Sequence, residues 1–91
     1  MQDEVLKEVS TVFLLLLCCI VDAPGEVKID TVPDGAATVF RVSVAQSDLG
    51  KVIGLQGRHA RALRMLLNSA GVKHGRKFAL DIVDSFENTD S

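Results

Sequence analysis

Residues 50–58 read Gly50-Lys51-Val52-Ile53-Gly54-Leu55-Gln56-Gly57-Arg58. At their centre, Gly54-Leu55-Gln56-Gly57 sets two glycines around two variable positions, with Lys51 and Arg58 outside. Glycine reaches positive φ and lets another group come close to the main chain, so the pattern asks for a tight turn. Upstream, Ser47-Asp48 offers a helix N-cap for Leu49 to Ile53, and Gly54 ends that helix after barely two turns. Downstream, helical spacing from Arg58 to Ala70 gathers Leu63, Leu66, Leu67 and Ala70 on one side. Arg61, Arg64 and Asn68 fall on the other, and Gly71 follows as a C-cap. The turn therefore joins two helices, and the first N–H groups of the second face outward with the positive end of its dipole, an arrangement suited to an anion. Alone, G-x-x-G between helices is only a tight turn. It is not a P-loop, because no Gly-Lys-Ser/Thr follows, and it lacks the middle glycine of G-x-G-x-x-G.

Working outward, Val27, Ile29 and Thr31 alternate with Lys28 and Asp30 as a first strand. Pro33-Asp34-Gly35 is turn chemistry, and from Thr38 to Val44 a second strand puts Phe40, Val42 and Val44 on one face and Arg41 and Ser43 on the other. Beyond the turn at Gly75, Phe78, Leu80 and Ile82 alternate with Ala79, Asp81 and Val83 as a third strand. Residues 2–21 lack Pro and Gly and carry their acids early, which predicts a helix that stops before Ala23-Pro24-Gly25. The order α-β-β-α-α-β predicts a two-layer α+β domain whose three helices cover one face of a three-stranded mixed sheet. Strands two and three, joined through a helical crossover, should be parallel, and the first should pair antiparallel to the second. One domain is expected over residues 1–84, followed by a polar, frayed tail, SFENTDS, at 85–91.

Composition narrows the function. With 91 residues there is room for one core and no cofactor domain. The apolar run Val12 to Val21 is half the roughly 20 residues a membrane span needs. Its flank, with Asp3, Glu4 and Glu8 against Lys7, lacks the positive charge of a signal peptide, so a cytoplasmic protein is expected. Cys18 and Cys19 are adjacent on a helix and read as small hydrophobes in a reducing compartment, with no His or Cys at metal-ligand spacing. No nucleophile, base and orienting group occur together, so neither an enzyme nor a cofactor is expected. The net charge of −2 conceals segregation: residues 50–77 carry seven Lys or Arg and no acid, and the remainder sums to −9. Such a basic pole is the footprint of a phosphate-backbone binder, while the absence of Trp and Tyr removes the usual base-stacking platforms. Arg58 and Arg61 start the second helix of the pair beside the loop; Arg64, a turn later, reads as a solvated charge. His59 reads as a packed or edge-lying histidine and His74 as exposed, with Met65 and the four Phe residues as packing.

The string Gly50 to Arg58, with Ala60-x-Ala62-Leu63-Arg64 after it, resembles the signature of the KH domain, whose GXXG loop clamps the backbone of about four nucleotides. The element order is that of the type II, prokaryotic KH fold. Ile20-Val21-Asp22-Ala23-Pro24 and Val44-Ala45-Gln46-Ser47-Asp48 extend the likeness to the small stand-alone bacterial KH proteins of the KhpA type. The resemblance implies a groove for single-stranded RNA with Lys51, Val52, Ile53, Gly54, Leu55, Gln56, Gly57, Arg58 and Arg61 on one side. The third strand, around Phe78 to Ile82, would supply the other. It implies a regulator or RNA chaperone without catalysis, with self-association or pairing with a larger, Jag-type KH protein. The first helix, apolar on every side from Phe13 to Ile20, is the expected surface for that pairing. Leu55 stands where the family often has Lys, so one phosphate-facing charge is absent. With about three phosphate contacts the salt slope would be about −2. A domain that keeps the fold for protein partners is the rival reading.

Overall fold

The computed structural model of the chain describes residues 3–84; the polar tail expected at 85–91 lies outside them. Along the chain run α1 (Glu4–Cys18), β1 (Lys28–Asp34), β2 (Ala37–Val44), α2 (Leu49–Ile53), α3 (Arg58–Lys73) and β3 (Lys77–Asp84), with single 3-10 turns at Pro24–Glu26, Gln46–Asp48 and Leu55–Gly57. The sheet order is β1-β2-β3, with β1 antiparallel and β3 parallel to β2. Fold class, element order and strand directions all agree with the sequence reading.

Alternation along the strands builds one face of the core. Phe40, Val42 and Val44 of the central strand are buried, and Leu80 and Ile82 sit in register beside Phe40 and Val42. Phe13 and Leu17 of α1, Val52 of α2, and Leu63 and Leu67 of α3 close over them. Each such side chain contributes roughly 1.5–3 kcal/mol on full burial. The other sheet face carries Arg41, whose Nε lies 3.6 Å from Asp81 Oδ2 across the β2–β3 pair. Ser43, predicted on that same outer face, is buried there.

Several local expectations are corrected. The first helix ends at Cys18 and not at Val21: after it the chain tightens, Ile20 and Val21 N–H both donating to Leu17 O at 2.9 and 3.1 Å, and the N–H groups of Asp22 and Ala23 then turn to the distant carboxylate of Asp48. Its start is capped by Asp3, whose Oδ1 accepts from Val5 N and Leu6 N at 3.1 and 3.3 Å. Arg76 Nη1 reaches the same carboxylate at 2.8 Å while its guanidinium lies over the Phe78 ring. Dehydration raises the Asp3 pKa, but the Arg76 hydrogen bond and charge, with the two N–H donors, outweigh it and hold the carboxyl below its usual value.

The hairpin turn is Gly35-Ala36. Pro33 and Asp34, expected in the turn, still pair with Thr38 and Ala37. β1 is an edge strand, where proline's missing N–H can be tolerated, and Gly35 takes the positive φ at the first turn position.

α3 continues through Gly71 to Lys73. Gly71 is not a cap: a Cβ there would lie 2.6 Å from Arg76 O, and Arg76 N–H donates to Gly71 O at 2.7 Å, so glycine admits the start of β3 against the helix. The buried line of α3 is Ala60, Leu63, Leu67 and Gly71, and Leu66, expected with the leucine stripe, is exposed.

Candidate nucleic-acid interface

α2 is short because Gly54 takes φ 79° and ψ 170°, a backbone region essentially closed to other residues. The demand is also steric, since a Cβ at Gly54 would meet His59 Cγ at 2.6 Å and His59 N at 2.9 Å. Gln56 and Gly57 then follow in the left-handed region, with φ 56° and 75°. For Gln56 that costs of order 1–3 kcal/mol, so surrounding contacts must hold it. They come from the first turns of α3. Arg61 Nη2 donates to Gln56 O at 2.7 Å, and His59 Nδ1 lies 2.7 Å from Lys51 O. A carbonyl only accepts, so Nδ1 carries the proton. Two main-chain carbonyls around the bend are thus engaged by α3 side chains. Two N–H groups of the bend are used within it, Gly57 N–H on Gly54 O at 3.1 Å and Arg58 N–H on Leu55 O, so the donor polarity of the start of α3 rests on the groups beside them and on its dipole.

The structure sorts the expected site residues. Leu55, Gln56, Arg58 and Arg61 are exposed around the bend, with Ile53, Gly54 and Gly57 half-buried. Val52 is a correction: it is fully buried in the core, so its side chain supports the bend from beneath and lines no groove. The proposed second wall changes for the same reason. Phe78 and Leu80 are buried, Phe78 against Phe40 at the far end of the sheet, whereas Ile82 and Val83 are half-buried. The parallel register puts Ile82 and Val83 beside Val42 and Ser43, at the end of β2 from which the chain leads into α2.

Lys51, read as a free phosphate ligand, is engaged: Nζ lies 3.2 Å from Asp22 Oδ2 and 4.0 Å from Asp48 Oδ1. Arg58, Arg61 and Arg64 have no carboxylate partner among the described residues, so their charge is uncompensated. Arg76, also counted in the basic segment, is spent on Asp3.

The sequence reading missed two groups. His59 was expected merely to pack, yet it braces the loop. Its one signal was its place right after Gly57-Arg58. Asp48 was expected to cap α2, yet no side-chain cap bond forms. Its carboxylate, 1 % exposed, instead accepts Asp22 N–H and Ala23 N–H, both at 3.0 Å, bolting the end of α1 to α2.

Among the described residues no cluster of His, Cys, Asp or Glu could hold a metal ion, and no helix is long and apolar enough to cross a membrane. Comparison with known proteins agrees with the geometry. The family model described as KhpA/KhpB, KH domain, matches residues 14–82. Proteins named RNA-binding protein KhpA are similar to the chain in Borreliella burgdorferi (42% identical over 65 residues, 71% of this chain and 79% of the relative) and in Treponema pallidum (43%, covering 71% and 81%). The one from Halalkalibacterium halodurans is 43% identical over 71% of this chain and 86% of its own. No solved structure matches the chain significantly. A G-x-x-G bend between two short-coupled helices, the α-β-β-α-α-β order and these matches lead to one conclusion: the chain belongs to the KhpA/KhpB KH-domain family.

Proposed function

We propose that this protein binds short single-stranded RNA at the Gly54–Gly57 bend, without catalysis, as a post-transcriptional regulator or RNA chaperone in the cytoplasm. The carrying observation is the bend itself: left-handed at Gln56 and Gly57, with α3 side chains bonded to Lys51 O and Gln56 O, and rimmed by the Arg58 guanidinium, which has no carboxylate partner among the described residues. Backbone phosphates would meet the loop N–H groups, Arg58 and Arg61, and bases would rest on Ile53 and Ile82. The relatives' RNA-binding name supports the same reading.

A fluorescent single-stranded RNA titrated at several salt concentrations tests it. With Arg58 and Arg61 unpaired by any carboxylate among the described residues and Lys51 engaged by Asp22, two phosphate contacts give a log–log salt slope of about −1.4. The double substitution Leu55→Asp, Gln56→Asp is expected to weaken binding at least tenfold at low salt with the fold intact, because both side chains are exposed. Full affinity in that variant would remove the loop as the site.

The rival reading, a module for protein partners, has its own observation. Val12 and Leu15 of α1 are about 60% exposed, with Leu14 and Leu16 partly so. This surface would serve self-association or a larger KH-containing, Jag-type partner. Sedimentation across concentration is expected to show a dimer by high micromolar concentration, shifting to monomer on Leu15→Glu. A wild-type monomer throughout would remove self-pairing.

A further inference from the structure

Charge at the α2 side of the bend does not match the rest of the interface. Lys51 faces two carboxylates there, leaving that corner net negative while Arg58 and Arg61 make the α3 side positive. The two acids differ. Asp48 is buried and gives its oxygens to Asp22 N–H and Ala23 N–H, so it belongs to the scaffold. The Asp22 side chain is 80% exposed, and among the described residues Lys51 is its one ion-pair partner. Its own N–H is already held by Asp48, so its carboxylate is not needed to place the backbone.

We infer, building on the RNA-binding function proposed above, that Asp22 is an affinity-limiting carboxylate: it occupies the Lys51 ammonium and repels the phosphates of a bound single strand. An exposed pair of this kind is weak, so a phosphate can displace it, and its removal should act on binding and not on folding. The carboxylate thereby sets how tightly RNA is held and how quickly it leaves.

The test uses the full chain with Asp22→Asn and the same fluorescent single-stranded RNA at about 50 and about 200 mM salt. Removing the negative charge that faces the Lys51 ammonium is expected to tighten binding about three- to tenfold at the lower salt. Screening should narrow the gain at the higher salt, and the freed Lys51 should steepen the salt slope by about 0.7. In a Lys51→Gln background most of the gain should vanish, and the thermal midpoint should be unchanged throughout. Unchanged or weaker binding by Asp22→Asn, while the wild type binds, overturns this inference alone. A gain that survives intact without Lys51 overturns its mechanism. No binding by either protein at the lower salt sinks the RNA-binding function and this inference with it.

Discussion

Replacing Phe40 with alanine is expected to lower the unfolding free energy by about 3–5 kcal/mol. Phe40 stands in the middle of the central strand, 1 % exposed, with Thr31 and Leu80 as its register partners on either side. Its ring meets the edge of Phe78 at 4.9 Å between centroids and an interplanar angle of 67°. Truncation removes apolar burial, the edge-on aromatic contact, worth about 0.5–1.5 kcal/mol, and leaves a cavity that rigid strands on both sides cannot collapse. A chain of this length has a total stability of roughly 5–14 kcal/mol, so the variant sits near the threshold of folding. Urea denaturation followed by circular dichroism measures it. A loss under about 1 kcal/mol would mean the sheet is not the centre of the core.

Asp48→Ala is the second large effect, and no apolar contact is involved. Two amides at the α1–β1 junction lose a charged acceptor at 3.0 Å, and α2 loses its tie to that junction. Hydrogen bonds to charged groups are worth about 1.5–3 kcal/mol each, with the two here sharing one carboxylate, so a combined loss of about 3 kcal/mol is expected. For a domain of this size that lowers the thermal midpoint by roughly 12–24 °C. Asp48→Asn keeps one accepting oxygen and turns an NH2 group toward the other amide, so it should fall between wild type and alanine. A midpoint for Asp48→Ala within a few degrees of wild type would show that the bracket carries no load. RNA binding should fall alongside stability, because the start of the bend rides on α2.

The difference between these two residues explains what could be read in advance. Phe40 was legible because alternation is local: residues two apart share a face, and the buried face follows. The helices and strand directions were legible for the same reason, helped by the crossover rule. Asp48, Asp22 and Asp3 were not, because each finds its partner through the fold. Asp48 serves residues 25 and 26 positions upstream and Asp3 meets Arg76, 73 positions away. The basic segment was visible as a count, but pairing decides which of its charges are available, and that removed Lys51 and Arg76. Val52 and Ile53 are neighbours in a motif yet point to core and rim, a distinction a helix of five residues hardly advertises.

The clasp between Asp3 and Arg76, with the parallel pairing of β3 to β2, has a consequence for synthesis on the ribosome. A growing chain that has emerged only to Lys73 holds every helix and the hairpin but neither the strand that completes the sheet nor the cation that anchors α1. Its leucine-rich first helix could already set Phe13 and Leu17 against the hairpin and α3, but it would lack the Arg76 anchor and the Phe78 and Leu80 side of the core until β3 emerged. Completion of the sheet and the anchoring of α1 therefore fall to one late-emerging segment, Arg76 and the strand that follows it.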